Sequence, residues 1–239
     1  VKLIQIKELT VGLNNPRFSF LFSGKEKLLN NKGHPESFEL TLVEGMIGEV
    51  VEQLEEVFFV KFPFYPISVY VWAEHTKEAH KFHDFFPIDK TTILKRLLNC
   101  LGRAYLWGGN HVGQTTAFFK IFKYQGNEKR EKRALCLDGI DCSGLLFFAT
   151  NFQTPRNTKE LQTFGSPIST LTSLKPLDLI LTKGHVRIVL DSNQVIQSKQ
   201  NRGVFLSRLD KELYFLKKNY KQVDEVKELR EFSIRRFIF

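Results

Sequence analysis

The sequence predicts an α+β protein, and three observations carry that prediction. Short apolar runs separated by Pro and Gly fill residues 1–86, an apolar spacing of three or four residues begins at Ile93, and strand-like runs return after Leu177. A chain of 239 residues, 42% hydrophobic and 26% charged, can bury a core without metal or disulfide staples. That composition excludes a disordered chain, a collagen-like repeat and a Cys-rich scaffold. Residues 145–149 form an apolar run far short of the roughly 18 residues of a membrane-spanning helix, so no such span is expected.

Taken in order, the alternating Phe18, Phe20 and Phe22 predict a strand. Residues 48–54 and 57–60 predict two more, and Ile67, Val69 and Val71 alternate after the turn-prone Pro63 and Pro66. Together they predict a small antiparallel barrel. Glu78, His80 and His83 follow; on a helix the two histidines would share a face and suggest a metal site. Zinc needs three or four ligands and no cysteine lies nearby, so a solvated connector is the expected reading and no metal is expected.

Asp89 is placed to cap a helix whose core face is Ile93, Leu94, Leu97, Leu98 and Leu101, with Gly102 to end it. Residues 110–140 form a long excursion. Its stretch 120–133 carries six basic and two acidic side chains, and Phe118, Phe119, Ile121 and Phe122 supply an apolar patch. A mobile lid and a packed surface hairpin fit that composition equally. Beyond Cys142 a buried helix is expected, then a connection over 155–165 with a short helix. Strands follow over 177–182, 185–190 and 194–198, the last two joined by the turn Asp191-Ser192-Asn193. A charged amphipathic helix over 209–218 and a closing strand over 232–239 complete the reading.

The chemistry concentrates in Asp138-Gly-Ile-Asp-Cys-Ser-Gly144. A cysteine at a helix start has a thiolate stabilised by free N–H groups, and it attacks a carbonyl when a histidine takes its proton. A buried structural thiol fits the same residues. His185 is the sole histidine after Cys142, and Gln197, on the next strand, can accept from one imidazole nitrogen and leave the other facing the thiol. Three cysteines cannot all pair, so at least one thiol is free. The net charge of +9 and pI near 9.4 favour anionic partners. The chain lacks zinc-finger spacing or an RNA-binding signature, and nucleic acid is not expected as a partner.

The blocks Gly102-Arg-Ala-Tyr-Leu-Trp-Gly-Gly109, Asp141-Cys-Ser-Gly144, Pro155-Arg156, Pro176-Leu-Asp-Leu179, His185-Val186 and the strand ending at Gln197 resemble the NlpC/P60 cysteine peptidases, in order and spacing, over about residues 90–200. The resemblance extends to the subgroup with bacterial SH3-like domains in front. It implies a papain-like core over 87–239, interrupted by 110–140, behind an SH3-like β-barrel region over 1–86. It further implies cleavage of the γ-D-glutamyl–meso-diaminopimelate bond of peptidoglycan stem peptides, without a cofactor. Matched by position, Cys142 is the nucleophile, His185 the base and Gln197 the group that orients the ring. Asp141 and Ser143 would hold a free L-alanyl amine, with Tyr105 beside the pocket. Leu177 stands where glycine is usual, and Arg187 replaces a small residue and either meets an acidic substrate or makes a salt bridge. A related amidase or acyltransferase, and an inactive cell-wall-binding protein, are the alternatives. Cytoplasm and cell envelope both fit.

Overall fold

Strands dominate the first 80 residues, as their alternating apolar positions require. In the computed structural model, which describes residues 1–82, 86–125 and 129–237, β1 (Leu3–Ile6) and β2 (Thr10–Leu13) lead into helix α1 (Phe18–Ser23). Strands β3 (Phe38–Leu42), β4 (Ile47–Gln53), β5 (Val57–Lys61), β6 (Val69–Trp72) and β7 (Thr76–Ala79) follow. They form one antiparallel sheet of seven strands in the order β3-β2-β6-β5-β4-β1-β7. The expected barrel is not what forms: among the described residues the outer strands β3 and β7 do not pair with each other, and the sheet stays open.

The strand expected through Phe18, Phe20 and Phe22 is the helix α1. Phe18, Leu21 and Phe22 are buried while Phe20 is 45% exposed, which is the i, i+3, i+4 pattern of a helix face. Gly24, in the left-handed conformation, ends it by donating to the carbonyls of Phe20 and Leu21. A three-phenylalanine alternation therefore concealed a helix, because Leu21 was the residue that decided its period.

The segment with Glu78 is strand rather than helix, and His80 lies just beyond β7, so the two do not meet on one helical face. His83 lies outside the described residues. The chain then forms α2 (Lys90–Asn99), capped by the Asp89 carboxylate, which accepts from Thr92 N at 3.0 Å. Ile93, Leu97 and Cys100 are fully buried, whereas Leu98 and Leu101 stay largely exposed, a narrower core face than the spacing predicts.

Residues 106–140 return to the first unit, which consists of Val1–Asp84 and Leu106–Ile140. Strands β8 (Asn110–His111) and β9 (Gly139–Ile140) pair, and α3 (Ala117–Ile121) and α4 (Lys129–Leu135) lie between them. This excursion is packed. Phe118, Leu135 and Leu137 are fully buried in one cluster with Phe18, Phe22, Phe38 and Trp72, and the Phe22 and Phe118 rings stack with centroids 3.8 Å apart.

The second unit consists of Phe85–Tyr105 and Asp141–Phe239. It contains α2, the buried helix α5 (Cys142–Ala149), the short α6 (Thr158–Leu161), β10 (Ser166–Pro167), β11 (Leu179–Thr182), β12 (His185–Val189), β13 (Gln194–Lys199) and β14 (Gly203–Arg208). Helix α7 (Leu209–Asn219), β15 (Lys221–Gln222) and β16 (Glu231–Arg236) end it. The sheet order is β10-β16-β11-β12-β13-β14, with β15 beside β16, and α5 packs on β12, β13 and α2. This is an α+β arrangement of helices beside a mainly antiparallel sheet.

Candidate active site

Asp141 fixes where α5 begins. Its backbone is extended and its carboxylate accepts from Gly144 N at 2.7 Å, so the helix starts at Cys142 and the thiol sits in the first turn. Opposite, β11 and β12 are joined across Lys183 and Gly184, with Thr182 paired to His185. Gly184 has φ +76°, a conformation that suits glycine and makes the tight reversal possible. Cys142 Sγ lies 3.9 Å from Gly184 O, and the backbone N–H of Val186 also reaches the sulfur. The thiol thus meets the main chain on both sides of His185.

His185 Nε2 is 2.9 Å from Gln197 Oε1 on β13, so the expected pair is present and the other ring nitrogen, Nδ1, is left for chemistry. Gln197 is fully buried. Its Nε2 donates to Ser207 Oγ at 2.7 Å and to Glu212 Oε1 at 2.8 Å. Glu212 Oε2 in turn accepts from Arg187 Nε at 2.7 Å. Of the two readings for Arg187, the salt bridge is the one seen: its guanidinium is buried against Glu212.

The electrostatics differ from those of a bare helix start. Burial, then the Asp141 charge, pushes the Cys142 thiol up to about 11, although hydrogen bonds from Val186 and Ser143 act the other way. Burial, then the Arg187 charge, pushes His185 down to about 4 against the hydrogen bond it donates to Gln197. The thiolate stabilisation expected from the helix terminus is outweighed because the sulfur is buried beside a carboxylate. Burial would raise the Glu212 carboxyl, yet the Arg187 charge and the hydrogen bonds from Arg187, Gln197 and Ser207 hold it below the usual range.

Asp141, Ser143 and Tyr105 also gather here. The Tyr105 hydroxyl is raised well above its ordinary value by burial and by the neighbouring Asp141 and Cys142. The segment leading to it is held by Gly102 N to Val204 O at 2.9 Å and Val204 N to Arg103 O at 2.8 Å. That approach requires Gly203, where a Cβ would lie 2.0 Å from Arg103 O. Asp141 is paired with buried Arg156, whose Nη2 reaches Oδ2 at 2.7 Å and whose Nη1 reaches Oδ1 at 3.1 Å and Ser143 Oγ at 3.0 Å.

Sequence reasoning assigned no role to Arg156, Ser207 or Glu212. Arg156 sits in a recognised block, next to Pro155, and its charge in a buried loop was the signal. Glu212 lies in the first turn of α7, where an acidic residue is explained by the helix dipole alone. Ser207 belongs to β14, whose alternation of Val204 and Leu206 is the one signal of a strand there. Among the described residues no group of His, Cys, Asp and Glu is arranged to hold a metal.

The model of the NlpC/P60 family matches residues 102–224. None of the curated proteins matches the chain. Among solved structures, an NlpC/P60 family protein from Bacillus cereus shares 15% identity, with 98% of this chain and 62% of that one covered and a TM-score of 0.42. The peptidoglycan hydrolase RipB from Mycobacterium tuberculosis shares 20%, covering 63% and 65%, with a TM-score of 0.41. RipD from the same organism, described as a non-catalytic NlpC/p60 domain protein adapted to peptidoglycan binding, shares 17%, covering 64% and 100%, at 0.41. The chain thus spans about 62% of the length of the Bacillus cereus protein.

Proposed function

Since the chain belongs to the NlpC/P60 family, we propose that it is a cysteine peptidase acting on peptidoglycan stem peptides, with Cys142 as nucleophile, His185 as base and Gln197 as the orienting group. The observation that carries this reading is the seating of Cys142 Sγ against the main chain beside His185, whose Nε2 is held by Gln197 at 2.9 Å. In this reaction His185 Nδ1 takes the thiol proton as sulfur attacks the γ-D-glutamyl carbonyl, then returns it to the departing diaminopimelate amine. Water activated by the same imidazole hydrolyses the thioester. The backbone N–H of Cys142, at the start of α5, supplies a donor for the oxyanion.

Asp141, Ser143 and Tyr105 receive the free L-alanyl amine of a released stem. Because Arg156 already shares the Asp141 charge, the preference over an N-acetylated stem is modest, about tenfold in kcat/KM, below the roughly 1.5–3 kcal/mol of an unshared charged hydrogen bond. Mass analysis after incubation with L-Ala-γ-D-Glu-meso-diaminopimelate and its N-acetyl form tests the reading. Release of free diaminopimelate by the wild type and none by folded C142A is expected. Transfer to an added amine in place of hydrolysis would indicate an acyltransferase, and binding without turnover would leave only a wall-binding protein.

A further inference from the structure

Gln197 poses a difficulty that a carboxylate at its position would not. An amide presents oxygen on one side and NH2 on the other, and only one way round lets it accept from His185 Nε2–H. Turned over, it would donate to Nε2 and drive the imidazole proton onto Nδ1, the atom that must be bare to take the thiol proton. Something must therefore choose the orientation.

We propose that Glu212 is a positioning residue that sets the proton of His185 on Nε2, by fixing which way the Gln197 amide faces. A chain of hydrogen bonds links the two, and its direction is forced from its far end. Arg187 has donors only, so Glu212 Oε2 must accept from it, at 2.7 Å. Glu212 Oε1 is likewise an acceptor, so the Gln197 atom 2.8 Å away must be the NH2 group. The Gln197 oxygen is then turned to His185, 2.9 Å from Nε2, which must carry a proton. Ser207 points the same way: its one hydroxyl proton goes to Glu212, so its oxygen accepts from the Gln197 NH2 at 2.7 Å. Held below the usual carboxylate range, Glu212 is ionised at neutral pH and has no proton to offer. Burial of Gln197 and Arg187 keeps bulk water from scrambling the order.

Substitutions at the two amide and carboxylate positions should therefore reverse and restore the order. In Glu212→Gln the new amide must give its oxygen to Arg187 and its NH2 to Gln197, which then turns its own oxygen away from His185. The relay is inverted without loss of a hydrogen bond. In the double variant Q197E/E212Q, the carboxylate introduced at position 197 accepts from both neighbours and the Nε2–H form returns.

The test is 15N NMR of the His185 ring in the full chain, with kinetics on the free-amine stem tripeptide. The wild type is expected to show a protonated Nε2 and a bare Nδ1. E212Q should move most of the population to Nδ1–H and lower kcat about 100-fold with KM within about twofold. Q197E/E212Q should restore the tautomer and bring kcat back to within about tenfold of the wild type. E212D keeps the ion pair with Arg187 but lacks reach to Gln197, and gives mixed tautomers should E212Q not fold. An unchanged Nε2–H signal in E212Q or E212D overturns the proposal, as does a tautomer that Q197E/E212Q fails to restore. The kinetic arm rests on the peptidase reading and the tautomer arm does not. Absence of turnover with the tautomer switch intact would therefore refute that reading alone.

Discussion

With its thiol pushed up to about 11 and its imidazole down to about 4, the Cys142–His185 pair is uncharged across the neutral range. In the proposed reaction, attack proceeds by general-base removal of the thiol proton, and kcat/KM should rise with pH along an acid limb near 4, well below an ordinary histidine. A limb near 6.5 would show that Arg187 and burial do not govern the ring. Alkylation by iodoacetamide should likewise accelerate up to about pH 11 instead of levelling off in acid. The same depression affects stability. Between pH 6.5 and 4 the unfolded chain binds the His185 proton and the folded one does not, so stability is full above 6.5 and falls until pH 4, by about 3 kcal/mol. Denaturant melts of H185A, which should lack that slope, check the sign. R187A leaves Glu212 buried and unpaired, and should cost about 3–5 kcal/mol while moving the acid limb upward. Cys100, fully buried and raised to about 11 by burial, should resist alkylation in the folded state.

Among the elements, α1 offers a direct contrast between the strand its sequence suggests and the helix observed. F18A should cost about 3–5 kcal/mol and F20A almost nothing, since Phe18 is fully buried and Phe20 is 45% exposed. Equal costs would restore the strand. Leu177 presents a different contest. Its φ of +76° is strained for leucine, by about 1–2 kcal/mol, yet its side chain is only 5% exposed. Removing a buried leucine costs about 2–5 kcal/mol, so L177G should destabilise despite relieving the backbone. What was legible in the sequence follows from these terms. The β12–β13 hairpin and the start of α5 were readable because Asp191 and Asp141 satisfy backbone N–H groups locally, at 2.7–2.9 Å to Asn193 and Gln194 and 2.7 Å to Gly144. So was the meeting of His185 and Gln197, because an imidazole and an amide on neighbouring strands complement each other as hydrogen-bond partners. The Glu212–Arg187 link was legible only in half: a salt bridge was one of two readings of Arg187, but its partner lies 25 residues on in α7, where an acidic residue is unremarkable. The open sheet was hidden for a similar reason: closure depends on pairing between distant edge strands, which no local pattern records.

For the molecule as a whole, the decisive arrangement is that the first unit is assembled from two separated stretches, Val1–Asp84 and Leu106–Ile140. Phe118, Leu135 and Leu137 complete a cluster that Phe18, Phe22 and Trp72 begin. Residues 1–84 expressed alone should therefore expose those rings, bind a hydrophobic dye and melt without cooperativity, whereas addition of 106–140 through a short linker should give a sharp thermal transition. A cooperative melt of 1–84 alone would show that the second stretch is dispensable. Emergence from the ribosome gives the same arrangement a further meaning. At about 5–20 residues per second, translation delivers the last of this cluster roughly 3–11 s after residue 84 has been made. During that interval the strands are all made but the cluster around Phe18 and Phe22 lacks Phe118, Leu135 and Leu137, so the nascent chain should be a client for chaperones before Cys142 has even been added.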